Sequence, residues 1–213
     1  KTKEIAFTLP VVIFLYELMF FEEKLKKRLL YIAPLLITML IIPVSLLESY
    51  KLTGDLMGNI SDATRVDTNI SRWDYLLTQF AVIVNYIRLI FFPINQNLDY
   101  DFPIYSTLLT PEVFLSFLLL LSIFGFGIYM FLRSRTHNNA YRVIAFGIFW
   151  FFITLSVESS FIPIVDVIFE HRVYLPSIGF FIALTTGIFL ILNKYGKRKL
   201  HAFGVTIFMV VII

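Results

Sequence analysis

Residues 156–181 read SVESSFIPIVDVIFEHRVYLPSIGFF and place five ionisable side chains between two long apolar runs. The apolar runs cover residues 143–157 and 173–193, and the ionisable side chains are Glu158, Asp166, Glu170, His171 and Arg172. Ionisable groups this close to a bilayer are costly, so by default they face a water-filled cavity, a partner charge or a ligand. Pro163 and Pro176 each lack a backbone donor and are expected to interrupt the helix. We therefore expect residues 164–169 to form a short helix or a re-entrant turn at one membrane face.

The composition is that of a membrane protein. Of the 213 residues, 58% are hydrophobic and 15% are charged, and the mean hydropathy is +0.81. A soluble domain carries about 25% charged residues, so we expect an integral membrane protein. The chain has no cysteine, which excludes disulfides and thiolate metal sites. Basic loops on one side of a membrane account for the net charge of +3, and no nucleic-acid partner is expected.

The apolar runs predict an all-α, polytopic transmembrane bundle, because helices satisfy their backbone groups internally in lipid. About six runs are expected to span: residues 5–21, 29–47, 113–132, 143–157 and 173–193, and a last run from Ala202. We treat residues 1–213 as a single transmembrane domain. The last run has 12 residues, short of the ~20 needed to span, and the chain opens on Lys1. We therefore expect a fragment without its N-terminal spans and any C-terminal soluble domain.

The basic residues gather in three short connections. Residues 22–28, 133–142 and 194–201 hold 4, 3 and 4 of the 18 Lys and Arg residues. The positive-inside rule places these connections in the cytoplasm. If residues 73–92 crossed the membrane fully, the connection 133–142 would lie outside. We therefore expect residues 73–92 to lie in the outer face or to re-enter it; the alternative is a short crossing within residues 95–109.

The run VESSFIPIVDVIFEHRVYLPSIGF, residues 157–180, resembles a signature of bacterial multi-spanning proteins related to the transmembrane and tetratricopeptide-repeat O-mannosyltransferases. The matching positions are Glu170, Arg172, Tyr174, Leu175, Pro176, Ser177 and Gly179. That family has a GT-C type glycosyltransferase fold. The resemblance implies a multi-pass enzyme of a bacterial inner membrane. Such an enzyme moves a sugar from a polyprenyl-phosphate donor to a hydroxyl of a protein or glycan acceptor on the outer face.

The resemblance also implies a donor site around Arg172. Its guanidinium matches phosphate oxygens in two-point geometry. Glu170 would hold that guanidinium, and His171 or Tyr174 would touch the sugar or the phosphate. In GT-C enzymes the general base is an Asp or Glu of the first outer loop, so we expect the base to precede Lys1. The alternative is an interfacial pair in which Glu170 simply neutralises Arg172.

Other parts of the chain supply further candidates for the donor site: Lys3, Glu4, Arg88, Glu158 and Asp166. The pair Thr2–Lys3 before Leu9–Pro10 is similar to a feature of lipid-A aminoarabinose transferases, where the lysine lies beside the lipid phosphate. Glu4 replaces the usual glycine of that feature. The alternative is a lysine that reaches to the lipid headgroups.

A second polar set consists of Arg72, Gln79, Tyr86 and Arg88. Gln79 and Tyr86 are seven residues apart, so both face one side of a helix. The alternative to a site is a half-buried helix that turns its polar groups towards neighbouring spans.

Asp99 and Asp101 flank one residue in the sequence DYD, and their oxygens could hold a hard divalent cation. We expect instead a polar outer-face turn before Pro103, and we expect no cofactor. A different functional class also stays open, namely a membrane transporter or a flippase of lipid-linked glycans. Such proteins often contain internal repeats, and this sequence shows none.

Overall fold

The computed structural model of the chain describes residues 7–22, 25–38, 70–97, 100–134, 139–159 and 167–195. Every regular element in these ranges is helical, so the predicted all-α class is confirmed. The helices are α1 (Thr8–Phe20), α2 (Leu25–Thr38), α3 (Arg72–Phe91), α4 (Pro111–Ser134), α5 (Asn139–Leu155) and α6 (Tyr174–Tyr195). A short 3-10 helix (Glu170–Val173) leads directly into α6.

Three of these helices are long and apolar enough to cross a membrane: α3, α4, and α6 together with the 3-10 helix. Helices α1 and α5 are apolar but shorter. The structure therefore supports a helical membrane protein with three candidate spans. The larger number of about six spans stays a prediction, because residues 39–69 and 196–213 lie outside the described ranges.

The basic segment 22–28 was expected to be a loop, and its second half is helical instead. Helix α2 begins at Leu25, so Lys26, Lys27 and Arg28 form its first turn. The Arg28 guanidinium folds back and donates to the carbonyl oxygen of Phe21, just after α1. This contact links the first turn of α2 to the end of α1.

Pro176 behaves differently from expectation. It does not interrupt a helix, since it lies in the first turn of α6, where backbone N–H groups have no partner within the helix. Residues 164–169 were expected to form a short helix or a re-entrant turn; the described part, residues 167–169, is not helical, and the turn stays a prediction. Pro163 lies outside the described residues.

Helices α5 and α6 form an antiparallel pair with a very close approach at two glycines. A Cβ atom added to Gly147 would lie 2.3 Å from the carbonyl oxygen of Gly179, and one added to Gly179 would lie 2.6 Å from the carbonyl oxygen of Gly147. The Trp150 indole Nε1 donates to the carbonyl oxygen of Leu175 at 3.0 Å and links the same two helices. Small residues permit this approach, as is common between membrane helices.

The described helix ends that flank the three basic segments lie at one end of the bundle. Phe20, the last residue of α1, contacts Phe146 near the start of α5. Met130 and Phe131, near the end of α4, pack on the same cluster. Helix α6 runs antiparallel to α5 and so ends there too. We call this the basic end; the opposite, acidic end carries Glu158 and Glu170.

Helix α3 contacts the acidic end with both of its halves. Near its start, the Tyr75 hydroxyl donates to the carbonyl oxygen of Glu158 at 2.8 Å, just after α5. Near its end, the Tyr86 hydroxyl accepts from the N–H of Phe169 at 2.9 Å, just before the 3-10 helix. If α3 crossed the membrane alongside α5 and α6, one of these two hydroxyls would lie near the basic end. The contacts therefore favour a helix that re-enters the outer face, which stays a prediction.

Cysteine labelling tests this topology in a chain that has no native cysteine. Ser71, Gln96, Ser106 and Asn139 are all exposed. We expect an impermeant thiol reagent to label cysteines at Ser71, Gln96 and Ser106 from one side and a cysteine at Asn139 from the other. Labelling of Ser71→Cys and Gln96→Cys from opposite sides would show that α3 crosses the membrane.

Candidate functional site

Glu170 and Arg172, two positions apart in the 3-10 helix, belong to two different polar clusters at the acidic end. The Arg172 cluster consists of Tyr75, Gln79, Tyr86, Glu158 and Arg172. The Glu170 cluster consists of Asn97, Tyr100 and Glu170. The first is buried against α3, and the second borders a cavity.

Arg172 is a buried cation with several partners. Its Nε lies 3.6 Å from Glu158 Oε2, and the two side chains are only 5% and 17% exposed. The guanidinium carbon lies 5.0 Å from the centroid of the Phe169 ring. The guanidinium also interacts with the hydroxyls of Tyr75 and Tyr86. These contacts tie α3, the end of α5 and the start of α6 together.

The predicted pairing of Glu170 with Arg172 is wrong, because Arg172 forms its ion pair with Glu158. A 3-10 helix has three residues per turn, so side chains two positions apart point about 120° away from each other. The contact predicted between Arg172 and a lipid-linked phosphate stays a prediction. The ion pair engages Nε of the guanidinium, and the burial of Arg172 limits access to its other nitrogens.

Gln79 and Tyr86 lie on one buried face of α3, as their spacing predicted. The Gln79 Nε2 donates to the carbonyl oxygen of Val167 at 3.0 Å. Gln79 Oε1 is buried and has no hydrogen-bond partner in the part of the chain that the structure describes. Tyr75, fully buried on the same face, was missed by the sequence prediction. Its position one turn before Gln79 is the signal that could have revealed it.

The Glu170 carboxylate is held by a segment that lies far away in sequence. Glu170 Oε1 accepts from the N–H of Asn97 at 2.9 Å and from the hydroxyl of Tyr100. Within the described residues, Glu170 Oε2 has no hydrogen bond, and the Glu170 side chain is half-buried. One carboxylate oxygen is therefore held by two donors, and the other has none among these residues.

The loop after α3 contains both donors, the Asn97 N–H and the Tyr100 hydroxyl. Asn95 adopts the left-handed backbone conformation with a φ of 57°, which turns the chain after the helix. Partial burial and the hydrogen bond to Glu170 raise the pKa of the Tyr100 phenol. Tyr100 therefore stays protonated at neutral pH and donates to the carboxylate.

A polar cavity of about 490 Å³ adjoins this carboxylate. It is lined by Gln96, Asn97, Phe169, Glu170 and His171. The exposed His171 ring lies against Phe169, with the two ring centroids 5.1 Å apart. The cavity thus holds a carboxylate, an imidazole and two amide side chains.

Two other predicted donor-site residues lie outside this cavity lining. Tyr174 is 80% exposed on the first turn of α6. Arg88 is exposed and its Nε donates to Asn85 Oδ1 at 2.9 Å. Arg88 does act electrostatically on Tyr100, so its charge reaches the Glu170 cluster.

The remaining candidates are Lys3, Glu4, Asp99 and Asp166, which lie outside the described residues. Asp101, the partner of Asp99 in the weighed cation site, is exposed. Within the described ranges, no group of three or more His, Cys, Asp or Glu side chains is placed to hold a metal ion. The expectation that the protein needs no cofactor stays a prediction.

A larger apolar cleft lies deeper in the bundle, between α3, α4, α5 and α6. Its volume is about 840 Å³, and its wall includes Ile87 and Phe91 of α3, Phe151 of α5 and Phe180 of α6. The end of α3 connects the two spaces in sequence: Phe91 lines the apolar cleft, and Gln96 lines the polar cavity.

Both spaces are of the size that binds small molecules, roughly 300–1,000 Å³. A bundle that contains both a polar cavity and an apolar cleft fits an amphiphilic ligand. Compared with protein-family models, curated proteins and solved structures, the chain matches none.

Proposed function

We propose that this protein is a membrane glycosyltransferase of GT-C type in a bacterial inner membrane. It would take a sugar from a polyprenyl-phosphate donor and pass it to a hydroxyl of a protein or glycan on the outer face. One observation carries the proposal: the bundle contains both a polar cavity with Glu170 and His171 at its acidic end and a large apolar cleft between α3, α4, α5 and α6. The signature in residues 157–180 supports the same class.

The two spaces suit the two halves of such a donor. A sugar phosphate is polar and forms hydrogen bonds: the amides and the imidazole of the polar cavity can donate to the phosphate, and the carboxylate can accept from sugar hydroxyls. A polyprenyl chain is wholly apolar, and the cleft is lined almost entirely by aliphatic and aromatic side chains. A donor whose headgroup lies at the polar cavity would lie beside the cleft with its tail.

The departing phosphate needs positive charge near its oxygens. His171 is exposed on the cavity wall and can contact a phosphate without any rearrangement. Arg172 is the next residue and forms an ion pair with Glu158. Its role in this proposal is therefore to hold the 3-10 helix in place, while His171 contacts the phosphate. Arg88 adds an exposed positive charge near Tyr100.

Binding of the lipid carrier tests the proposal without knowledge of the sugar. We expect the purified protein in lipid nanodiscs to bind undecaprenyl monophosphate saturably and to bind neutral undecaprenol far more weakly. His171→Ala should weaken binding of the phosphate about 10- to 100-fold, the effect of losing a charge-assisted hydrogen bond. Arg133→Ala, which removes an exposed cation at the basic end, is the matched control and should change nothing.

Two results would count against a transferase. Equal binding of the phosphate and the neutral alcohol would remove the headgroup site. Movement of a lipid-linked glycan across reconstituted vesicles without any sugar transfer would favour the flippase alternative instead.

A further inference from the structure

The two oxygens of the Glu170 carboxylate differ in their hydrogen bonds. Oε1 accepts hydrogen bonds from the Asn97 N–H and from the Tyr100 hydroxyl. These two residues lie about 70 positions earlier in the chain. Oε2 has no hydrogen bond among the described residues, and the half-buried Glu170 lines the polar cavity. This carboxylate is therefore fixed in orientation yet retains an acceptor atom.

A fixed carboxylate with one free oxygen is the arrangement that a general base requires. The base must lie within hydrogen-bond distance of the proton that it removes, and its side chain must keep one rotamer. The hydrogen bonds to Oε1 supply that rigidity. Tyr100, which stays protonated, acts as a donor and does not compete for the substrate proton.

We infer that Glu170 is the general base for the acceptor hydroxyl, and that the polar cavity is the place where acceptor and donor sugar meet. This inference rests on the proposed function. It differs from the expectation that the base precedes Lys1, because the described chain itself holds a suitably placed carboxylate. It also gives Glu170 a role of its own in place of the predicted pairing with Arg172.

The reaction is a single displacement. The oxygen of the acceptor hydroxyl attacks the anomeric carbon of the sugar and forms a new carbon–oxygen bond. The bond from that carbon to the phosphate oxygen breaks, and its electron pair stays on the polyprenyl phosphate. The hydroxyl proton passes to Glu170 Oε2, from which solvent in the cavity later removes it.

Tyr100 is a positioning residue in this scheme, since it acts through Glu170. Its loss leaves the Asn97 N–H as the one described donor to Oε1 and loosens the carboxylate. Tyr100→Phe should therefore lower kcat about tenfold and leave the KM for donor unchanged. If Tyr100 had only a structural role, Tyr100→Phe would lower the melting temperature and would not lower kcat at an unchanged KM.

The experiment uses the whole protein in nanodiscs with synthetic prenyl phosphates that carry mannose, glucose or galactose. A serine-containing peptide and methyl mannoside serve as acceptors, and binding of undecaprenyl monophosphate is measured in parallel. Glu170→Gln keeps a carbonyl oxygen for the two donors and removes the basic group. We expect it to lower sugar transfer about 10²- to 10⁴-fold, the usual contribution of general base catalysis, with carrier binding unchanged within twofold.

Chemical rescue separates a base from a structural residue. Glu170→Ala should regain part of its transfer rate on addition of formate, and the same addition should leave the wild type unaffected. Transfer by Glu170→Gln at more than a tenth of the wild-type rate, or a parallel loss of carrier binding, would overturn the inference and leave the proposed function standing. A wild type that neither binds the carrier nor transfers sugar would overturn both.

Discussion

Replacement of Gly147 by alanine is expected to disrupt the pairing of α5 with α6 and to destabilise the protein by about 3 kcal/mol or more. The new Cβ atom would lie 2.3 Å from the carbonyl oxygen of Gly179 and 2.9 Å from the backbone nitrogen of Ala183. Both atoms belong to the backbone, so no side-chain rotation can relieve the contact. The helices would have to separate, which would also strain the hydrogen bond from Trp150 to Leu175.

Alanine at Gly179 should have a similar effect, because its Cβ atom would lie 2.6 Å both from the Gly147 carbonyl oxygen and from Trp150 Cδ1. Gly125 and Gly187 are the matched controls, since nothing lies within 4 Å of a Cβ atom added at either position. In the controls alanine should be neutral or should stabilise the helix by about 0.5–1 kcal/mol. Melting temperatures in detergent compare the four variants. A wild-type melting temperature for Gly147→Ala would show that the two helices do not approach this closely.

The second large effect is expected from Arg172→Met, which leaves the carboxylate of Glu158 without its ion-pair partner in a largely buried position. Removal of one member of a buried pair typically costs about 3–5 kcal/mol, chiefly because the remaining charge is uncompensated. We expect a marked drop in melting temperature. Arg88→Met, at an exposed arginine of α3, is the control and should cost about 1 kcal/mol or less.

The double variant Glu158→Gln with Arg172→Met provides the decisive comparison. It contains no uncompensated charge from this pair, so it should recover a large part of the stability lost by Arg172→Met alone. Additive losses would mean that the two side chains do not interact. Unchanged stability of Arg172→Met combined with lost binding of undecaprenyl monophosphate would restore Arg172 as the residue that meets the phosphate.

Local patterns in the sequence predicted the helices well. The apolar runs 113–132, 143–157 and 173–193 coincide with α4, α5 and α6, and the run 73–92 coincides with α3 to within one residue at each end. The spacing of Gln79 and Tyr86 predicted a shared face correctly. These features depend on residues at most a few turns apart, for which helical periodicity is a sufficient guide.

The partners of the charged residues could not be predicted in this way. Glu170 stands two positions from Arg172, and proximity in sequence suggested an ion pair. The structure instead pairs Arg172 with Glu158 and gives Glu170 the hydroxyl of Tyr100, 70 residues away. The choice depends on the 3-10 geometry of residues 170–173 and on the packing of α3 against them.

The sequence by itself thus determined that this chain forms apolar helices, that its basic residues concentrate in three short segments between them, and that a polar motif precedes α6. Composition and helical periodicity are enough to predict these properties. Each helix makes its backbone hydrogen bonds within itself, and the Lys and Arg residues of each segment can be counted directly in the sequence. Only the tertiary structure decided which carboxylate balances Arg172 and which one lines the polar cavity. That decision requires donors from distant segments, since a carboxylate is oriented by whichever N–H and O–H groups the folded chain brings within about 3 Å.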